Sequence, residues 1–305
     1  MSEDDRIRKL THVLAHATGR ADVRVGIGDD AAVVGDGIVM TVDTQVEDVH
    51  FRRAWLSFEA LGFRSFMAAA SDIAAMGARP TFALSSLILP ADVTDADVVA
   101  LGRGQAAAAD ALGAAVVGGN LSRGPLSVTT TVLGQAARPL LRDGAKAGDL
   151  LLLGGTVGLA AAGLSALMRG VTDAAVLVLA WRSPRALVEL GVALVSAGAH
   201  GCIDVSDGLA LDLHRMCEAS GVGAVVSADA LLASTPTLRD AAARLGLDAL
   251  ELALHGGEDY ALLATAATAV PGFAVIGKIT AEHGVLLSRA DDTRDALPRR
   301  GFQHF

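Results

Sequence analysis

Cysteine is nearly missing. Cys202 and Cys217 are the only two, too few for a disulfide framework and with no zinc-like spacing around them. The expectation that follows is a reducing, cytoplasmic setting. Lysine is also scarce, with three of the 25 basic residues (Lys9, Lys146 and Lys278), and no Gly-x-x-x-x-Gly-Lys-Ser/Thr occurs. That excludes a P-loop as the means of holding phosphates. Apolar stretches such as Ala174–Ala180 are far too short to cross a bilayer. The acidic start, Met1-Ser-Glu-Asp-Asp5, lacks the basic and apolar regions of a secretory signal. Nor is there a surplus of positive charge: a formal net charge of −9 leaves no basic face for a nucleic-acid backbone.

What is present suits a folded protein of two domains, with 305 residues, 52% hydrophobic and 19% charged. Residues 4–18 read as an amphipathic helix, followed by β-like runs at Val23–Ile27, Ala32–Val34 and Ile38–Val42. Ser57 suits the N-cap of a helix to Met76, whose apolar residues recur at helical spacing up to Gly77. Thr94 and Asp97 resemble a capping box for a helix ending at Gly113, with strands after it at Ala115–Val117 and Ser127–Leu133. Arg138–Gly148 reads as the crossing between domains, placing the units at 1–138 and 139–305. Beyond it come a strand at Leu150–Leu153, a helix start at Ser183-Pro184, a strand at Ile203–Val205 and a helix capped by Ser206. Strands and helices in mixed order favour α+β in both halves.

The acids are unevenly placed. Ten of the 34 fall in five short motifs: Gly26-Ile-Gly-Asp-Asp30, Asp43-Thr-Gln-Val-Glu-Asp-Val-His50, Ser71-Asp72, Asp204-Val-Ser-Asp-Gly208 and Gly256-Gly-Glu-Asp259. Each also has a plain structural reading. Gly26–Asp30 suits a tight turn, Asp43 a strand end, Ser206-Asp207 a helix N-cap, Gly256–Asp259 a hairpin turn and His50 a surface position. Asp72 is harder to explain that way, because an unpaired carboxylate inside an apolar helix is costly. If the motifs converge, their mutual repulsion requires cations, and oxygen ligands without His or Cys select a hard ion such as Mg²⁺ or Ca²⁺.

In this order the motifs resemble those of the thiamine-monophosphate kinases, of the superfamily that includes aminoimidazole ribonucleotide synthetase and selenophosphate synthetase. Further carriers are Thr41-Val-Asp-Thr44, Gly118-Gly119, Gly144-Ala-Lys-Ala-Gly-Asp149, Gly256-Gly-Glu-Asp-Tyr260 and Gly301-Phe-Gln-His-Phe305. The resemblance implies a two-domain aminoimidazole ribonucleotide synthetase-like fold, with an N-terminal mixed β-sheet domain that binds ATP and metal and forms a homodimer. It implies ATP- and Mg²⁺-dependent phosphorylation of thiamine monophosphate. By that resemblance Asp30, Thr41, Asp43, Asp72, Asp204 and Asp207 hold magnesium, with the Val42 backbone as a further donor. Gly119, Arg142 and Ser206 match ATP contacts, and His50 and Glu258 match substrate contacts. Asn120 stands where the family has Asp, keeping an oxygen donor for metal and nucleotide but losing a charge. The aromatic residue against the substrate ring falls on Arg299 or Phe302, and Phe302 is favoured because arginine would repel a thiazolium. No catalytic side chain is implied, since the attacking phosphate oxygen is already anionic. The alternatives are another ATP-dependent enzyme of the superfamily, or a non-catalytic nucleotide- or metal-binding homologue.

Overall fold

The computed structural model describes residues 3–304; Met1, Ser2 and Phe305, the last residue of the C-terminal motif, lie outside it. Helix α1 (Glu3–Thr18) leads into strands β1 (Val23–Val25), β2 (Ala32–Val34) and β3 (Ile38–Val46). Helix α2 (Phe58–Ala75), β4 (Arg79–Leu89), α3 (Asp95–Leu112), β5 (Ala115–Arg123) and β6 (Ser127–Gln135) follow. The six strands form one sheet in the order β1-β2-β3-β6-β4-β5, antiparallel except for the β4–β5 pair.

The helix signals act locally. Ser57 Oγ accepts from Ala60 N at the start of α2, and Thr94 and Asp97 close a reciprocal capping box on α3. Glycine lets α2 and α3 touch: a Cβ at Gly62 would lie 2.0 Å from Leu101 O, and one at Gly104 would lie 1.9 Å from Glu59 O. The two helices cover one face of the sheet. The other face carries Val42, Phe82 and Leu84, which are 61%, 52% and 43% exposed.

After a short turn at Arg142–Gly144 come β7 (Leu150–Gly154), α4 (Leu159–Arg169), α5 (Ala175–Arg182), α6 (Val188–Ser196) and β8 (Gly201–Val205). Then come α7 (Leu209–Ser220), β9 (Gly223–Ser227), α8 (Ala228–Ser234), α9 (Pro236–Leu245) and α10 (Ala249–His255). The chain finishes with β10 (Ala261–Ala266), β11 (Phe273–Thr280), β12 (Gly284–Ser288) and β13 (Arg294–Ala296). These seven strands form a second sheet, ordered β13-β12-β9-β11-β7-β10-β8. The arrangement is the expected two-domain α+β fold. Helix α2 joins the halves: its buried residues Ile73 and Ala74 share one core with Leu194, Cys202 and Leu262. Among the described residues no helix is long and apolar enough to cross a membrane.

Five local expectations are corrected. Strand β3 continues to Val46, so Asp43 lies within it rather than at its end. Strand β5 runs past the expected end at Val117, through Gly118, Gly119 and Asn120 to Arg123; Gly119 is needed because a Cβ there would lie 1.7 Å from Ser85 O. Ser183-Pro184 ends α5 instead of starting α6, because the residue before proline is driven out of helical geometry and Ser183 takes φ −133° and ψ 63°. Gly208, not Ser206, caps α7, since the Asp212 carboxylate accepts from both Asp207 N and Gly208 N. Gly256–Asp259 likewise forms the crossing from α10 to β10, not a hairpin turn.

Candidate active site

Asp30 follows the first strand, Asp72 lies in the last turn of α2 and Asp204 sits near the end of β8. From these separate elements, one carboxylate oxygen of each comes within 4.8 Å of the others. Burial raises the pKa of Asp30 to about 8 against the opposing pull of Arg142, and raises that of Asp204 to about 7, with the Asp212 charge adding to the shift. Burial also holds Asp72 well above the usual carboxylate range, with Asp204 and Asp30 adding to the shift.

Donors occupy part of this cluster. Arg142 Nη2 donates to Asp30 Oδ1 at 2.6 Å, and the Thr41 hydroxyl donates to Asp72 Oδ2 at 2.5 Å. Ser71 and Ser206 donate to the two oxygens of Asp204 at 2.8 and 3.2 Å. Asp30 Oδ2 is buried and has no hydrogen-bond partner. An orphaned oxygen among three buried carboxylates, with no nitrogen or sulfur donor in the group, fits a hard divalent cation.

Asp72 and Asp204 open into a cavity of about 460 Å³, which Asp43, Ser206, Asp207, His50, Glu258 and Phe302 also line. Asp43 is raised by burial, partly offset by His50. Asp207 is engaged by Arg215, 2.5 Å away. His50 Nδ1 accepts from Val46 N at 3.0 Å, and burial lowers its pKa against the opposing pull of Asp43. Its ring lies 5.1 Å from His304 and 6.3 Å from Phe302, while Phe302 and His304 meet edge to face at 4.9 Å. These rings form an aromatic wall. Arg299 instead pairs with Glu218 at 2.6 Å, so Phe302 is the residue presented to the cavity.

Arg142 meets the trio at Asp30 and also pairs with Asp29, whereas the nucleotide candidates Gly119 and Asn120 are not gathered there. Gly119 pairs with Ser85 in β5, and the side chain of Asn120 shares the open sheet face with Ser86, Thr129 and Thr44. Val42 lines the cavity while being 61% exposed.

Sequence reasoning missed Asp29, Arg64 and Trp181. Asp29 accepts from Arg142 N at 3.1 Å and so orients the arginine that meets Asp30. Arg64 is wholly buried and ion-pairs with Glu258, whose second oxygen accepts from the Trp181 indole. An arginine in the same apolar helix as Asp72 was the available signal for Arg64; nothing local marked Trp181.

Comparison with known proteins gives the family. Residues 28–136 match the model of the AIR synthase related protein N-terminal domain, and residues 146–288 that of the C-terminal domain. The chain is 41% identical over 266 residues to a thiamine-monophosphate kinase of Mycobacterium tuberculosis, covering 85% of this chain and 80% of that one. It is 32% identical over 333 residues to the Bacillus subtilis thiamine-monophosphate kinase, covering 100% of both. The solved structure of AaThiL complexed with AMPPCP and TMP superposes with a TM-score of 0.88 at 29% identity, covering 100% of this chain and 97% of that one.

Proposed function

The chain belongs to the thiamine-monophosphate kinase family of AIR synthase related proteins, and from that premise we propose how its site phosphorylates thiamine monophosphate with ATP. The observation that carries the reading is a shared cavity: Asp72 and Asp204 open into the same space as His50, Phe302 and Glu258. One end suits metal-bound phosphates, and the other suits a flat heterocycle.

Asp30, Asp72 and Asp204 would hold Mg²⁺, with Asp43 and Asp207 as further oxygen donors. The ion supplies charge neutralisation between the donor and acceptor phosphates. The protein's own part is positioning. Thr41, Ser71 and Ser206 fix the carboxylate oxygens by hydrogen bonds, and Arg142 occupies one oxygen of Asp30 so that the other is left for the cation. His50, Phe302 and His304 form a wall for the heterocycle. The acceptor phosphate oxygen is already anionic, so no side chain has to remove a proton, and alignment carries the rate.

The protein acts as a cytoplasmic homodimer in this reading, with 1–138 as the nucleotide and pairing unit and 139–305 as the second unit. The bare sheet face bearing Val42, Phe82 and Leu84 supports the pairing.

Mass spectrometry tests the activity. Purified protein with ATP, Mg²⁺ and thiamine monophosphate should yield thiamine diphosphate, with free thiamine a poor acceptor. Equal turnover of free thiamine, or turnover in excess EDTA, overturns the reading.

A further inference from the structure

We propose that Arg64 and Trp181 are positioning residues for the acceptor substrate, holding the Glu258 carboxylate in one orientation as an acceptor for an N–H group on the substrate's heterocycle. The inference rests on the reading above that Glu258 faces the substrate.

The Glu258 side chain is 22% exposed, on the cavity side. Both of its oxygens are already engaged from behind. Arg64 Nη2 donates to Oε1, and the Trp181 indole N–H donates to Oε2. The backbone is held as well: Glu258 takes φ 65°, unusual for a side-chain-bearing residue, and its N–H donates to Ser206 O at 2.7 Å. A carboxylate carries about four lone-pair sites, so one donor on each oxygen leaves acceptor capacity directed at the cavity.

The clamp is itself fixed. Arg64 is fully buried, and its guanidinium donates to Gln45 Oε1 at 3.3 Å and to the Trp181 carbonyl. It also packs over the Trp181 ring, 4.7 Å from the centroid. Trp181 thus accepts from Arg64 through its backbone and donates to Glu258 through its ring, which closes a triangle. A buried pair of this kind is a weak stabiliser compared with packed apolar side chains, which leaves geometry as what it provides. The two ends of the site are also linked mechanically. Arg64 and Asp72 lie on the same helix, about two turns apart. One rigid rod therefore sets both the metal-side carboxylate and the support of the heterocycle-side carboxylate.

Steady-state kinetics on the full chain with ATP and Mg²⁺ test this, using Arg64→Lys, Trp181→Phe, Glu258→Gln and the two double variants that combine each clamp change with Glu258→Gln. Lysine keeps the charge and loses the fork; phenylalanine keeps a ring and loses the N–H. Each single change should raise KM for thiamine monophosphate about 10-fold, with KM for ATP altered by less than about 2-fold. In the Glu258→Gln background either clamp change should add less than about 2-fold, because its effect passes through Glu258. Effects that multiply in full, or that raise both KM values equally, overturn the positioning role. Should Trp181→Phe not fold, the Arg64→Lys cycle decides by the same criterion. If Glu258→Gln alone leaves KM unchanged, the substrate assignment of Glu258 falls and takes the inference with it. If Glu258→Gln raises KM and neither clamp change does, only the inference falls.

Discussion

Arg142 binds one oxygen of Asp30 at 2.6 Å, while the other oxygen, buried beside Asp72 and Asp204, has no partner. The guanidinium therefore both neutralises and orients the carboxylate.

Arg142→Met should destabilise the metal-free protein by about 3 kcal/mol, the usual scale for stripping one partner from a buried pair. The drop in melting temperature should shrink in millimolar Mg²⁺, because a bound divalent ion replaces the lost positive charge. Melting curves in EDTA and in Mg²⁺ check this, and an equal drop under both conditions counts against a metal at Asp30.

The buried carboxyls set a pH dependence of definite sign. Burial raises Asp30 to about 8 and Asp204 and Asp259 to about 7, from ordinary values near 3.8. Between those limits the folded state binds more protons than the unfolded chain, so stability falls as pH rises. Their contribution is fully present below pH 3.8 and is lost as pH passes through 7 to 8. In EDTA the protein should melt at a higher temperature at pH 5.5 than at pH 8. Mg²⁺ should narrow that gap by binding the ionised carboxylates. A melting temperature in EDTA that rises over this window contradicts the cluster's electrostatics.

Asp72→Ala removes one of the two acids, with Asp204, that belong to the trio and line the cavity. Turnover should fall at least about 100-fold, the scale for losing one group that stabilises transition-state charge. The metal-free fold should hold or gain stability, because like charges repel less. Initial rates and EDTA melting curves decide, and near-normal turnover with unchanged Mg²⁺ dependence sinks the assignment.

How far this site was legible depends on the range of each signal. Asp72 stood out because a carboxylate in an apolar helix needs a partner, and the Thr94–Asp97 cap was legible because its hydrogen bonds span three residues. Ser206 looked like a cap by type and spacing, yet Asp212, further along the helix, took the free N–H groups and left the Ser206 hydroxyl for Asp204. The strand expected at Ala115–Val117 stops short of Gly118 and Gly119, but parallel pairing to β4 carries it through them, and strand pairing is a tertiary decision. The clamp on Glu258 was invisible for the same reason. Arg64 is 194 positions away, and Trp181 belongs to a third element.

Assembly gives the last prediction. On the open face of the first sheet, Met40, Leu133 and Phe82 fall in one row, and Val42, Thr131 and Leu84 in the next. Phe82, Val42 and Leu84 are 52%, 61% and 43% exposed, an apolar surface that a second copy of the same sheet can cover. Asn120 lies on that face too, in the row of Ser86, Thr129 and Thr44, so pairing would bring it under cover. Light scattering should give about twice the 30.9 kDa chain mass. In a two-fold interface every substitution appears twice, and Leu84→Glu places two carboxylates on apolar surface without partners. Each loses roughly 2 kcal/mol of leucine burial and adds a charge to be desolvated, so dissociation should strengthen by at least about 100-fold. The variant should scatter as a single chain at micromolar concentration while its far-ultraviolet circular dichroism stays unchanged, since Leu84 supports no contact within its own core. A wild-type chain that is monomeric and fully active at that concentration overturns the pairing of the sheets.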